Sequence, residues 1–155
     1  MRAAALIETA RANGHTIACA ESCTGGLLGA EITAVPGSSD VFDRGFVTYS
    51  NAAKAEMLGV DPATIAAHGA VSEEVAAQMA QGALDRATAT LAVSITGVAG
   101  PGGSDHKPEG RVCFGLAGPA GTRTETLDFG AIGRAQVRAA SVDHALALLM
   151  RAAQP

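Results

Sequence analysis

The sequence predicts an α/β protein in which helices cover both faces of a mixed sheet. Three observations predict it. Helical patterns stand between the early apolar runs, which requires crossovers and parallel pairing, so the sheet is mainly parallel. Two late β-rich runs flank Gly118-Pro119-Ala120-Gly121 and add an antiparallel hairpin. A chain of 155 residues, 48% of them hydrophobic, can bury a core of its own. No repeat or linker interrupts it, so residues 1–155 read as one domain.

The elements follow in order. Residues 1–12 read as the first helix of the fold rather than a leader, since a long apolar block with a cleavage site is lacking. Within it, residues 3–12 set Leu6, Ile7 and Ala10 on one side, and Asn13-Gly14 supplies a left-handed stop. His15–Ala20 is short, apolar and bounded, a buried strand. Glu21-Ser22-Cys23-Thr24-Gly25-Gly26 leads into a helical stretch reaching Ala34, and residues 36–40 form a loop. Val41–Ser50 reads as a strand in which Gly45 marks a bulge.

Asn51–Leu58 is helical, and Asp61-Pro62 opens another helix, with Asp as cap and Pro at the first position. Ser72-Glu73-Glu74 begins a helix to Thr88, its acidic first turn suiting the dipole. Ala89–Ile95 is a strand of small and branched residues. Thr96–Gly110 is a loop rich in glycine and proline, Arg111–Ala117 and Thr122–Phe129 form the hairpin, and Ile132–Ala153 is the last helix.

Composition removes several function classes. Net charge is −4, Lys and Arg are scattered, and aromatic residues number one Tyr and four Phe, so no nucleic-acid surface is expected. No apolar run approaches the ~20 residues that span a bilayer. Cys19, Cys23 and Cys113 are odd in number and lack paired metal spacing, which points to reduced thiols in the cytoplasm. An anionic small substrate would need a local cationic pocket working against the overall field.

Three segments that each follow a predicted strand could carry chemistry, because ligands of open α/β sheets bind outside the carboxyl ends of the strands. In the first, Ser22 or Thr24 is either an ordinary helix cap or a hydroxyl beside free N–H groups of the helix start. In the second, Lys54 is either a solvated helix lysine or a base whose pKa is depressed by burial. Tyr49 is either a half-buried strand residue or a phenol bridging serine and lysine. In the third, Gly97, Gly100, Gly102 and Gly103 make either a flexible loop or a backbone that approaches an anion closely, with Lys107 shortly after.

Arg134 and Arg138 share one helix face four residues apart, as solvated side chains or as an anion clamp. Walker, Rossmann, Gly-x-Ser-x-Gly and His-Glu-x-x-His patterns are missing. The four histidines are scattered, so no metal site is assigned. Cys23 is a rival nucleophile to Ser22. Cys19 and Cys113 read as small buried hydrophobes.

Taken together, residues 20–26, Pro36-Gly37-Ser38-Ser39, Val47-Thr48-Tyr49-Ser50-Asn51 with Lys54, Gly69-Ala70-Val71-Ser72-Glu73 and residues 96–103 resemble the CinA C-terminal domain family, the nicotinamide-nucleotide amidases, over residues 3–150. The chain looks like the stand-alone form of that family. The resemblance implies a three-layer α/β/α sandwich like the anticodon-binding domain, a homodimer or higher homo-oligomer, and no cofactor. It also implies hydrolysis of nicotinamide mononucleotide to nicotinate mononucleotide and ammonia. On the matching positions Ser22 is the nucleophile, Lys54 the general base, Tyr49 and Thr96 polar pocket residues, and Arg138 or Arg134 the active-site arginine.

The chemistry then expected has Lys54 taking the Ser22 proton, with Tyr49 as a relay. N–H groups of Thr24, Gly25 and Gly26 hold the oxyanion. The loop of Gly97, Gly100 and Gly102 holds the 5′-phosphate with Arg138 and Lys107. A non-catalytic nucleotide-binding module and an amidase for another substrate are the alternatives.

Overall fold

The computed structural model describes residues 2–104 and 106–155; Met1, counted with the first helix above, lies outside them. The described residues form, in order, α1 (Arg2–Ala12), β1 (Ile17–Glu21), α2 (Leu27–Thr33), β2 (Phe42–Val47), α3 (Asn51–Leu58), α4 (Pro62–His68), α5 (Glu73–Asp85), β3 (Leu91–Gly97), β4 (Arg111–Gly118), β5 (Gly121–Asp128) and α6 (Arg134–Ala152). A 3-10 turn at Ser38–Asp40 falls inside the expected loop.

Local chemistry explains most boundaries. Gly14 takes φ 72° after α1, Asp61 caps α4 by accepting Ala63 N–H with Pro62 next in line, and Ser72 caps α5 by accepting Val75 N–H. Strands β1 and β3 begin and end later than the apolar runs suggest, because the parallel ladder pairs Ile17–Glu21 with Leu91–Ile95. Helix α5 stops at Asp85 rather than Thr88 because tertiary bonds draw the next residues towards β2. Arg44 Nη1 donates to Arg86 O at 2.9 Å, and Thr88 N–H donates to Asp43 at 3.2 Å. Gly45 is not the bulge expected of it. The register shifts beside Ile17 and Ala18 instead, and Gly45 pairs regularly with Cys19. A Cβ at Gly45 would stand 3.0 Å from Cys19 Sγ, so the glycine makes room for that thiol.

The sheet order is β2-β1-β3-β4-β5. Strands β2, β1 and β3 pair in parallel, β4 runs against β3, and β5 runs against β4. β4 is therefore the one strand of the sheet directed against the other four, which makes the sheet mixed and mainly parallel in direction.

Alternation along the strands divides the core into two layers. Ile17, Cys19, Val93, Ile95 and Phe114 join Leu6, Leu28, Ile32, Val137 and Leu149 of α1, α2 and α6. Ala18, Ala20 and Ala92 face the other way, onto Leu58 of α3 and Val75, Met79 and Ala83 of α5. Helices thus cover both faces, giving three layers. The second layer is thin because its strand residues are small. A Cβ on Gly115 would collide with the Ala76 carbonyl oxygen, which accepts the Ser94 hydroxyl at 2.6 Å. Helix α5 therefore sits close on β3 and β4.

From β1 the chain crosses one face through α2 to β2, then returns over the opposite face through α3, α4 and α5 to β3. Right-handed crossovers in opposite directions require opposite faces. The carboxyl ends of β2, β1 and β3 consequently open side by side at one end of the sheet.

Candidate active site

Those three strand ends deliver the segments singled out in the sequence. Ser22 follows β1, its N–H donating to Ile95 O at 3.0 Å and so continuing the sheet. Lys54 lies one turn into α3, which starts there because Ser50 Oγ accepts Ala53 N–H at 3.0 Å. Positions 54 and 58 share the buried side of α3, so Lys54 points inward and is 1% exposed.

Its Nζ lies 3.1 Å from Ser22 Oγ and donates to Tyr49 O at 3.0 Å. Burial pushes the Lys54 ammonium below the ordinary lysine range, opposed only by the nearby Cys23 thiol. Among the described residues no carboxylate pairs with it. A buried amine without a counter-ion, in contact with a hydroxyl, is equipped to exchange a proton with it. Cys23 is not so equipped. Burial pushes its thiol up to about 11, and the side chain packs into the apolar core.

The turn that presents Ser22 is held by Glu21. Its buried carboxylate accepts Thr24 Oγ–H at 2.6 Å, Leu28 N–H at 2.9 Å and Gly29 N–H at 3.0 Å, while its backbone oxygen accepts Thr48 N–H at 2.9 Å. This revises two expectations. Neither Ser22 nor Thr24 caps α2, whose N-cap is Gly26 with no side-chain bond. The N–H groups near the helix start are also engaged: Gly25 N–H donates to Ser22 O at 3.0 Å and Leu27 N–H to Thr24 O at 3.1 Å, beside the two held by Glu21. They are therefore not aimed at an oxyanion over Ser22. Glu21 had been given no role in the sequence. Its one legible signal was an acidic residue at the end of an apolar strand, just ahead of a helix that lacks a side-chain cap.

Ser22, Lys54, Tyr49, Thr96, Arg134 and the loop of residues 97–104 line a cleft of about 350 Å³. Thr96, 1% exposed, donates to Ala70 O at 2.8 Å and ties β3 to the turn before α5. Gly97 leaves no room for a Cβ against Val112. In the loop, Gly100 and Gly102 take φ 94° and 80°, conformations that suit glycine, and Gly102 N–H donates to the Glu109 carboxylate. The donor expected to receive a phosphate thus already holds an anion.

Tyr49 presents its backbone oxygen to Lys54, whereas its phenol is exposed and accepts Arg134 Nη2–H at 3.2 Å. The phenol does not stand between serine and lysine, so the relay expected of it has no geometric basis.

The two arginines part company. Arg134 reaches across the cleft mouth, its Nη1 donating to Gly100 O at 2.6 Å. Arg138 turns to the serine turn, donating to Cys23 O at 3.1 Å and Thr24 O at 3.3 Å. Lys107 donates to His68 O and Val71 O at 3.2 and 3.0 Å and lines a wider adjoining depression of about 890 Å³, which meets the cleft at Asn51 and Ala70. Among the described residues no three His, Cys, Asp or Glu side chains gather as a metal site, and no helix is long and apolar enough to cross a membrane.

Residues 2–153 match the CinA C-terminal domain. The chain is 64% identical over 103 residues to a CinA-like protein of Chlorobaculum tepidum, a match covering 66% of this chain and 24% of that protein. It is 58% identical over 112 residues to the nicotinamide-nucleotide amidohydrolase PncC of Enterobacter agglomerans, covering 72% of this chain and 68% of that one. The crystal structure of the competence/damage inducible protein CihA from Agrobacterium tumefaciens superposes with a TM-score of 0.88 at 45% identity, covering 97% of this chain and 96% of that chain. The chain spans about a quarter to a third of the length of the longer curated relatives it matches.

Proposed function

Because the chain belongs to the CinA C-terminal domain family, we propose that it is a nicotinamide-nucleotide amidase, hydrolysing nicotinamide mononucleotide to nicotinate mononucleotide and ammonia. The observation that carries the reading is the buried Lys54 amine 3.1 Å from Ser22 Oγ at the floor of the cleft. The 58% identity to an amidohydrolase of that substrate supports it.

In the neutral amine one N–H is held by the Tyr49 carbonyl, which accepts only, so the lone pair is left for the Ser22 O–H. Lys54 removes that proton as Ser22 Oγ bonds to the carboxamide carbon. The new ammonium then lies against the negative charge developing on the carboxamide oxygen, where low dielectric makes it effective. Collapse breaks the C–N bond, the Lys54 proton leaves with the nitrogen as ammonia, and Ser22 carries the acyl group as an ester. Lys54 next takes a proton from water, hydroxide adds to the ester, and the proton returns to Ser22 as nicotinate is released.

Arg134 at the mouth is the cation available to the substrate's anionic portion, because both bonds it makes are to neutral acceptors and leave N–H groups over. The adjoining depression beyond Asn51 and Ala70 gives room for the ribose phosphate that the cleft alone would not hold.

Ammonia release from nicotinamide mononucleotide, with and without chelator, tests the reading. Release indifferent to chelator supports it. No release while the nucleotide still binds overturns it in favour of a binding module, and release from other amides alone overturns the substrate.

A further inference from the structure

Beyond that chemistry, and independent of it, lies the far edge of the sheet. β5 is an edge strand whose eight residues pair with β4 in one unbroken register, from Arg111 with Asp128 to Gly118 with Gly121. It contains no proline. Proteins ordinarily blunt such edges with bulges, proline or inward charges, and the opposite edge, β2, does have a broken register.

The phase of the ladder says which backbone groups are free. Phe129 N–H donates to Gly110 O at 2.9 Å, and Gly118 faces Gly121 across a two-residue turn. Odd-numbered residues of β5 therefore aim their backbone at β4, and Thr122, Thr124 and Thr126 aim theirs outward. Among the described residues these outward groups have no partner. The threonine hydroxyls fasten the strand to α5, Thr124 and Thr126 donating to Glu73 at 2.7 Å and Thr122 to Gln81 at 2.9 Å. The edge is thus rigid, regular and open.

We infer that β5 pairs antiparallel with β5 of a second copy about a two-fold axis at Thr124. Outward residues must face outward residues, which limits the registers. Centring on Arg123 sets the two Arg123 side chains opposite each other, and centring on Glu125 does the same for two glutamates. Centring on Thr124 instead sets Arg123 against Glu125 of the other copy, twice, with Thr122 against Thr126. Opposite charges and threonine pairs are favourable cross-strand neighbours, and like charges are not. Arg123 has no ion-pair or hydrogen-bond partner among the described residues, while Glu125 bonds His144 of α6. Arg123 also rims a cavity of about 500 Å³, floored by Leu91, Phe114 and Leu148, that would border the seam.

Sedimentation equilibrium should give twice the 15.4 kDa chain mass. Thr124→Cys should oxidise to a disulfide-linked dimer, because Cα atoms of such a pair stand about 5.5 Å apart. Thr122→Cys alone should not cross-link, and Thr122→Cys with Thr126→Cys should. Arg123→Glu, an exposed change compatible with folding, should raise the dissociation constant about tenfold or more, since the contact occurs twice. A monomeric wild type overturns the inference. So does a dimer that Thr124→Cys fails to cross-link and Arg123→Glu leaves unchanged.

Discussion

Lys54 Nζ stands 3.1 Å from Ser22 Oγ across 32 residues of chain, with the Tyr49 carbonyl as its other partner at 3.0 Å. A lysine held this way on a protein surface would be charged and inert. Here burial penalises the charge, and the hydroxyl is the group within reach of the freed lone pair.

Replacing either member separates chemistry from binding. Ser22→Ala should abolish ammonia release while substrate affinity stays within several-fold, as measured by calorimetry. Lys54→Met should lower kcat by about a thousandfold, within the range lost when a general base is removed. Full turnover in either variant would remove that residue from the mechanism.

The pH profile follows from the direction of the Lys54 shift. The base works unprotonated, so kcat/KM should climb with pH and level off below the ordinary lysine value of about 10.4. Stability carries the matching sign. Between the lowered folded pKa and the unfolded one, the unfolded chain binds the extra proton, so stability rises with pH across that window. Lys54→Met should stabilise most at low pH, and the difference should shrink as pH approaches about 10.4. A difference flat in pH, followed by thermal unfolding, would count against a penalised charge.

Arg134 and Arg138 should differ in kind. Arg134→Ala removes the cation at the cleft mouth and should raise KM about tenfold or more with a smaller change in kcat, a bidentate charge contact being worth at least that much. Arg138→Ala releases the Cys23 and Thr24 carbonyls and should lower kcat and the melting temperature together. Identical kinetic signatures for the two would contradict this division.

Glu21→Ala leaves the Leu28 and Gly29 N–H groups and the Thr24 hydroxyl without their acceptor. With hydrogen bonds to a charged group contributing about 1.5–3 kcal/mol each, denaturant unfolding should show a loss of at least about 3 kcal/mol. A change under about 1 kcal/mol would mean that water or another residue replaces the carboxylate.

Much of this architecture was legible in the sequence because it rests on local chemistry. Asp61-Pro62, Ser72 and Asn13-Gly14 mark helix ends by their own side chains and dihedrals, and Gly118-Pro119-Ala120-Gly121 marks the hairpin. The three segments at the cleft were legible because each follows a strand. What escaped was set by partners distant in the chain. Glu21 and Ser22 are neighbours, yet only the path of α2 turns one into an anchor and leaves the other exposed to the cleft. Arg134 and Arg138 share a helix face, and nothing in their spacing says that one meets Gly100 and the other Cys23. Gly45 carried a correct signal of close approach with the wrong neighbour, a thiol rather than a bulge.

The tight seat of α5 has a consequence for the cleft. Ala70 and Val71, just ahead of that helix, form part of the cleft wall, and the helix can descend so far only because Gly115 has no side chain. Adding one methyl there would lift the helix and widen a catalytic opening it never touches. The bore of the site is thus calibrated from beneath the opposite layer, and variants selected for altered substrate size should turn up at position 115 as well as around the serine.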